Sequence, residues 1–142
     1  MSEIKKYPKF VVGVFLFNNN GELFLRTTPS QGDKFTCLNN RVEWGNTIEE
    51  TIRLMTKEKT NLDVDNYELI GLTDGLNIKS SGSQEQIHMV FADYKVIAKN
   101  IKNFKSNDES REYKWLTTDG WLKLNQDFFG PYIYEIIQKI NQ

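Results

Sequence analysis

An α/β domain, a mixed β-sheet sandwiched between helices, is predicted by three features of the chain. Strand-like apolar runs come in hairpin pairs, a helix with both ends marked interrupts them, and an amphipathic helix follows the last of them. With 142 residues, 39% hydrophobic and 13% aromatic, there is material for one domain with a real core. No internal repeat, linker or low-complexity segment divides the chain, so residues 1–142 are expected to form a single domain.

The run F-V-V-G-V-F-L-F (Phe10 to Phe17) is rich in β-branched and aromatic residues and too short for an average helix, which predicts a buried, central strand. N-N-N-G (Asn18 to Gly21) tolerates the positive φ of a tight turn and leads into E-L-F-L-R-T (Glu22 to Thr27), completing a hairpin. The Pro-, Gly- and Ser-bearing segment Thr28 to Lys34 reads as a loop, followed by the short apolar piece Phe35 to Leu38.

Thr47 and Glu50 have the spacing of a capping box, in which hydroxyl and carboxylate each satisfy a free backbone N–H. A helix over Ile48 to Thr60 is expected, ended by Asn61, a residue suited to a left-handed cap. Two strand-like runs, Tyr67 to Ile78 and Ile87 to Ala98, flank K-S-S-G-S-Q-E-Q and predict a long hairpin. A short strand over Tyr113 to Leu116 follows, and Thr117 or Thr118 can cap a helical turn through Leu124. Pro131 is expected to open the last helix, whose Ile133, Ile136, Ile137 and Ile140 fall at i, i+3, i+4 and i+7.

Composition narrows the partners. Eighteen basic residues balance nineteen acidic ones, a net charge of -1, so no global field draws the chain to nucleic acid or to an anionic membrane. Nor does any apolar stretch reach the roughly 20 residues of a membrane span. The single cysteine, Cys37, cannot form an internal disulfide, and M-S-E-I-K-K-Y-P has no apolar run of a signal peptide, so a cytoplasmic location is expected.

The chemistry centres on N-N-R-V-E-W-G-N-T-I-E-E-T-I-R-L-M-T-K-E-K-T-N-L, Asn39 to Leu62. This stretch resembles the signature of the Nudix (MutT-like) hydrolases, G-x5-E-x7-R-E-U-x-E-E-x-G-U, with U an aliphatic residue. The hairpins around it and S-N-D-E-S-R-E-Y-K-W-L-T-T-D ahead of the last helix extend the likeness from Phe10 to the C-terminus. The resemblance implies an α/β/α sandwich related to nucleoside diphosphate-X pyrophosphohydrolases. In that family carboxylates on one helix face hold Mg²⁺ or Mn²⁺ against the diphosphate.

Most of the box's functional residues are replaced here. Glu43, Gly45, Thr47 and Leu62 match, but Asn40 and Asn46 replace the box glycine and first glutamate, and Leu54 the arginine. The three helix carboxylates become Met55, Glu58 and Lys59, so Glu58 alone survives. A one-residue slip aligns Arg53 with the family arginine but then puts Leu54, Lys57 and Glu58 at the carboxylate positions. Either register keeps one carboxylate of three and sets a lysine at a ligand position. An ammonium about 4 Å from a cation costs on the order of 4 kcal/mol per unit charge near a surface.

The resemblance makes Glu58, Glu43 and Glu109 the candidate catalytic acids, Glu58 and Glu43 the candidate metal ligands, and Lys59, Arg53 and Trp44 the candidate substrate contacts. Each has a plain structural reading beside it. Glu58 and Lys59 can form a solvated helix end, Glu43 can fix the turn, and Glu109 can belong to an acidic loop with Asp108 and Glu112. Arg53 can pair with Glu49, Trp44 can cap the core instead of stacking on a base, Met55 fits the Ile48, Ile52 stripe, and His88 is a packed strand residue.

Three functions stay open on this reading. The first is a weak or inactive hydrolase scaffold that binds a nucleotide or phosphorylated metabolite, with an ammonium in place of the metal. The second is an active Mg- or Mn-dependent hydrolase using Glu43, Glu58 and the Asp108, Glu109, Glu112 group. The third is a protein-interaction domain with W-L-K-L-N-Q-D-F-F-G-P-Y as its contact. Homodimers are frequent among similar proteins, and one is an option here.

Overall fold

A computed structural model describes residues 7–79, 86–107 and 110–142. Six strands, β1 (Lys9–Phe17), β2 (Glu22–Thr27), β3 (Leu38–Arg41), β4 (Asp63–Lys79), β5 (Gln86–Lys99) and β6 (Glu112–Thr117), form one mixed sheet. Three helices accompany it: α1 (Ile48–Thr60), α2 (Thr118–Leu122) and α3 (Ile133–Ile140). The sheet runs β4-β5-β1-β2-β6, with β3 also paired to β1.

β1 is central, as its all-apolar sequence requires of a strand covered on both faces. It runs parallel to β5 and antiparallel to β3 along its first half and to β2 at its end. Its alternate side chains feed two cores. Val12, Val14 and Leu16 meet Phe24, Val96, Ile52 and Met55 under α1. Phe15 and Phe17 meet Leu23, Leu25, Trp121, Ile133, Ile136 and Ile137 under α2 and α3. Each such aliphatic or aromatic side chain, once fully buried, contributes roughly 1.5–3 kcal/mol. The α/β/α layering therefore follows from which residues alternate along β1.

Phe35 and Thr36 make only single bridges, to Phe129 and Arg26, and the strand begins at Leu38. One local expectation, the start of the last helix, shifts. Pro131 does not open α3: Tyr132 takes φ 69, a left-handed turn that delays the helix to Ile133. The C-terminal aromatic segment is divided: Trp121 and Phe129 are buried, the Trp121 indole donating to the Leu23 carbonyl at 2.9 Å, while Phe128 and Tyr132 are exposed. Among the described residues no helix is long and apolar enough to cross a membrane.

Candidate functional site

The turn before α1 and both ends of that helix are built as their residues dictate. Gly45 has φ 93 in the turn, a conformation open to glycine. Thr47 Oγ1 accepts from the Glu50 N–H at 3.1 Å while Glu50 Oε1 accepts from the Thr47 N–H at 3.3 Å, so both halves of the capping box form. At the far end Asn61 adopts φ 60, and its N–H donates to the Lys57 carbonyl.

The segment Ile101 to Asn107 then seals the α1 C-terminus. Lys105 N–H donates to the Thr60 carbonyl at 2.9 Å and Asn107 N–H to the Lys59 carbonyl at 3.2 Å. The Asn61 amide donates to the Asn103 carbonyl at 3.0 Å. Phe104 anchors this segment, packing on Phe24, Tyr113 and Trp115. The Lys105 and Asn107 N–H groups satisfy carbonyls of the last turn that a helix end leaves without an intrahelical partner.

Between helix end and segment lies a groove of about 340 Å³ lined by Lys57, Glu58, Asn61, Lys105, Ser106 and Asn107. Glu58 is exposed there. Met55, one turn earlier, is buried at 1% exposure in the core, so its position offers no ligand. Lys59 is half-buried, and its ammonium donates to the Asn39 carbonyl of β3 at 3.0 Å. A cation belonging to the chain itself thus joins the head of the Asn39 to Leu62 stretch to the end of its helix. Lys57, the lysine of the slipped register, forms an exposed ion pair with Asp63 at 3.5 Å.

The other candidates lie apart from this groove. Glu43 is exposed in the turn, its carbonyl accepting from the Asn46 N–H. The α1 backbone rises on the order of 16 Å from Thr47 to Glu58. Trp44, in the same turn, is 100% exposed, which overturns its reading as a cap on the core. Arg53 is exposed about 140° around the helix from Glu58. Arg53 and Glu49 act in opposite senses on the Tyr67 hydroxyl, whose pKa is pushed up by burial and then by the Glu49 charge. Glu109 and Asp108 lie outside the described residues, and Glu112 pairs with Lys114 at 3.7 Å. His88 is half-buried, with Nε2 2.8 Å from Asp74 Oδ1.

Among the described residues no group of three or more His, Cys, Asp or Glu is placed to hold a metal ion. One exposed carboxylate beside ammonium groups does not fit Mg²⁺ or Mn²⁺, which need several oxygen ligands. Residue types alone did not reveal Lys105, Ser106 and Asn107, because backbone hydrogen bonds bring them to the groove. Arg26 was hidden too. It is 1% exposed, with Nη1 3.4 Å from Ser110 Oγ, in a strand whose apolar neighbours on both faces masked the inward charge.

Comparison with known proteins agrees with this architecture. The NUDIX domain family model matches residues 8–135. A Nudix hydrolase from Nitrosomonas europaea superposes with a TM-score of 0.74 at 13% identity, covering 95% of this chain and 89% of its own. A MutT protein from Methanosarcina mazei gives 0.69 at 15% identity, over 98% and 96% of the two chains. A Deinococcus radiodurans protein gives 0.66 at 18% identity, over 94% and 83%. At these identities the likeness is one of fold. A search of curated proteins returned no match.

Proposed function

Because the chain belongs to the NUDIX domain family, we propose that it is a cytoplasmic, ligand-binding member of it. The ligand is a nucleotide or another phosphorylated small molecule, held beside the C-terminal end of α1, and pyrophosphohydrolase activity is weak or absent because the metal-binding box is largely lost. The observation that carries this reading is the Lys59 ammonium 3.0 Å from the Asn39 carbonyl. Lys59 stands at a position where the family box has a metal-binding carboxylate, so a fixed positive charge replaces a divalent cation.

Lys57 and Lys105, not Lys59, supply the ammonium groups that line the groove beside Glu58, and the Ser106 hydroxyl adds a donor. An ammonium and a phosphate charge about 4 Å apart attract by on the order of 4 kcal/mol near a surface, before the cost of desolvation. Trp44 and Arg53 lie at the other end and on another flank of α1, so the groove takes the phosphate rather than the base. Ammonium groups can hold a phosphate, but without a divalent cation nothing lowers the pKa of an attacking water, and Glu58 alone is a weak base.

Turnover assays with ADP-ribose, dinucleoside polyphosphates, GDP-sugars and nucleoside triphosphates in Mn²⁺ test this reading. Phosphate release at the background rate is expected for all of them. Release that Glu58→Gln abolishes would overturn it and support a shifted set of carboxylates that includes Glu43 and Glu109.

A further inference from the structure

We propose that the groove where the end of α3 meets β4 and β5 binds a small carboxylic acid with an apolar body, its carboxylate held by the ammonium groups of Lys95 and Lys139. The groove, about 280 Å³, is lined by Glu68 and Ile70 of β4, Lys95 of β5, and Lys139, Ile140 and Gln142 at and after the end of α3. Lys95 pairs with Phe15 of β1 on one side and with Glu68 on the other, so these residues share the sheet face that α3 covers, across the sheet from α1. Both ammonium groups are held in place. Lys95 Nζ sits 4.9 Å from the centre of the Phe17 ring. Lys139 Nζ lies against the β4 backbone at Gly71, where a Cβ would come within 2.6 Å of it. A lysine in the last turn of a helix ordinarily serves the exposed carbonyls there. This one reaches across to the sheet instead, where its charge acts on the buried Asp93. Among the described residues neither Lys95 nor Lys139 forms an ion pair, so both ammonium groups are open to an anion.

The lining selects the class of ligand. Two ammonium groups against the one carboxylate of Glu68 leave a single net positive charge, which suits one carboxylate better than a doubly charged phosphate. Glu68 stands directly across from Lys95 and repels a second negative charge there. Ile70 and Ile140 pack at the margin of the α3-side core and offer an apolar wall beside the charges. At the roughly 30 Å³ that a water molecule occupies, the groove holds about nine non-hydrogen atoms. That is the size of a short fatty acid or an aromatic acid, and a nucleotide is too large for it. The site is therefore separate, in place and in ligand, from the groove beside α1.

Titration of sodium hexanoate into isotope-labelled protein, followed by the amide NMR signals, tests the proposal. Saturable shifts at Ile70, Ile140 and Gln142 are expected, with neutral hexanamide producing none and inorganic phosphate binding more weakly. Lys95→Gln and Lys139→Gln should each weaken binding about threefold, the scale of one exposed ion pair. Gly71→Ala keeps both charges but displaces the Lys139 ammonium, and should weaken binding as much while the circular dichroism spectrum stays that of the wild type. No saturable shift at tens of millimolar hexanoate, shifts confined to the groove beside α1, equal binding of hexanamide or of phosphate, or an affinity indifferent to Lys139→Gln would each overturn the proposal.

Discussion

Replacing Lys59 by glutamate reverses the charge one residue after Glu58, at the end of α1. The ammonium is half-buried and donates to the Asn39 carbonyl at 3.0 Å. A hydrogen bond to a charged group contributes about 1.5–3 kcal/mol, and the half-exposed setting argues for the lower end. Placing an anion in the last turn of α1 costs about 0.3–1 kcal/mol more. The sum is roughly 2 kcal/mol, which at this chain length lowers the melting temperature by about 8 °C. For a divalent cation the sign is opposite. The variant removes a repulsion of on the order of 4 kcal/mol per unit charge and sets a second carboxylate beside Glu58. Thermal shift with increasing Mn²⁺ reads both effects. Without metal the variant should melt below the wild type, and with Mn²⁺ at about ten times its dissociation constant it should regain about 1.4 kcal/mol. The wild type should not respond. An equal Mn²⁺ shift in both proteins would refute the reasoning, because the wild-type cleft would then already hold the metal.

The remaining predictions concern the frame. Thr47→Ala removes one half of the capping box and should cost about 1 kcal/mol in urea denaturation, while leaving the core unchanged. Asp93 is buried at 4% exposure; burial holds its pKa above the ordinary carboxylate value, against the Thr73 hydrogen bond at 2.8 Å and the Lys139 charge. A raised folded pKa means stability is full below the unfolded value of about 3.9 and is lost as pH rises through the folded one. Asp93→Asn should therefore flatten that loss, gaining on the wild type from pH 4 upward in denaturant titrations. Burial and the Asp93 charge push the Cys37 thiol up to about 12, so native protein should resist a thiol reagent at pH 8 and react once unfolded. Trp44→Ala should leave the melting temperature within about 2 °C of the wild type, since the indole touches no core residue.

What was legible in the sequence was whatever local physics decides. Thr47 with Glu50, and Asn61 at φ 60, announce a helix from Ile48 to Thr60, and the helix has those bounds. The apolar run of β1 signals burial on both faces, and the Ile133, Ile136, Ile137 spacing signals the face of α3. What was hidden depends on contacts between distant segments. No spacing rule joins Lys59 to the Asn39 carbonyl, or Lys105 N–H to Thr60, because any residue can supply a backbone group. Pro131 misled for a different reason: the turn at Tyr132 places the chain between Gly130 and α3, and that geometry outweighs proline's preference for the first helical position. Trp121 and Trp44 look alike as aromatic residues near turns, yet one is fully buried and the other fully exposed. The packing around them, not their local sequence, separates the two.

The central claim is that a lysine has taken the place of the metal beside α1. Isothermal titration of ADP-ribose and nucleoside triphosphates into the protein, once with EDTA and once with Mg²⁺, tests it most directly. Binding of equal affinity under both conditions, weakened by Lys57→Gln and Lys105→Gln, is the predicted result. Binding that appears only with Mg²⁺ would contradict the account, as would no binding at millimolar ligand.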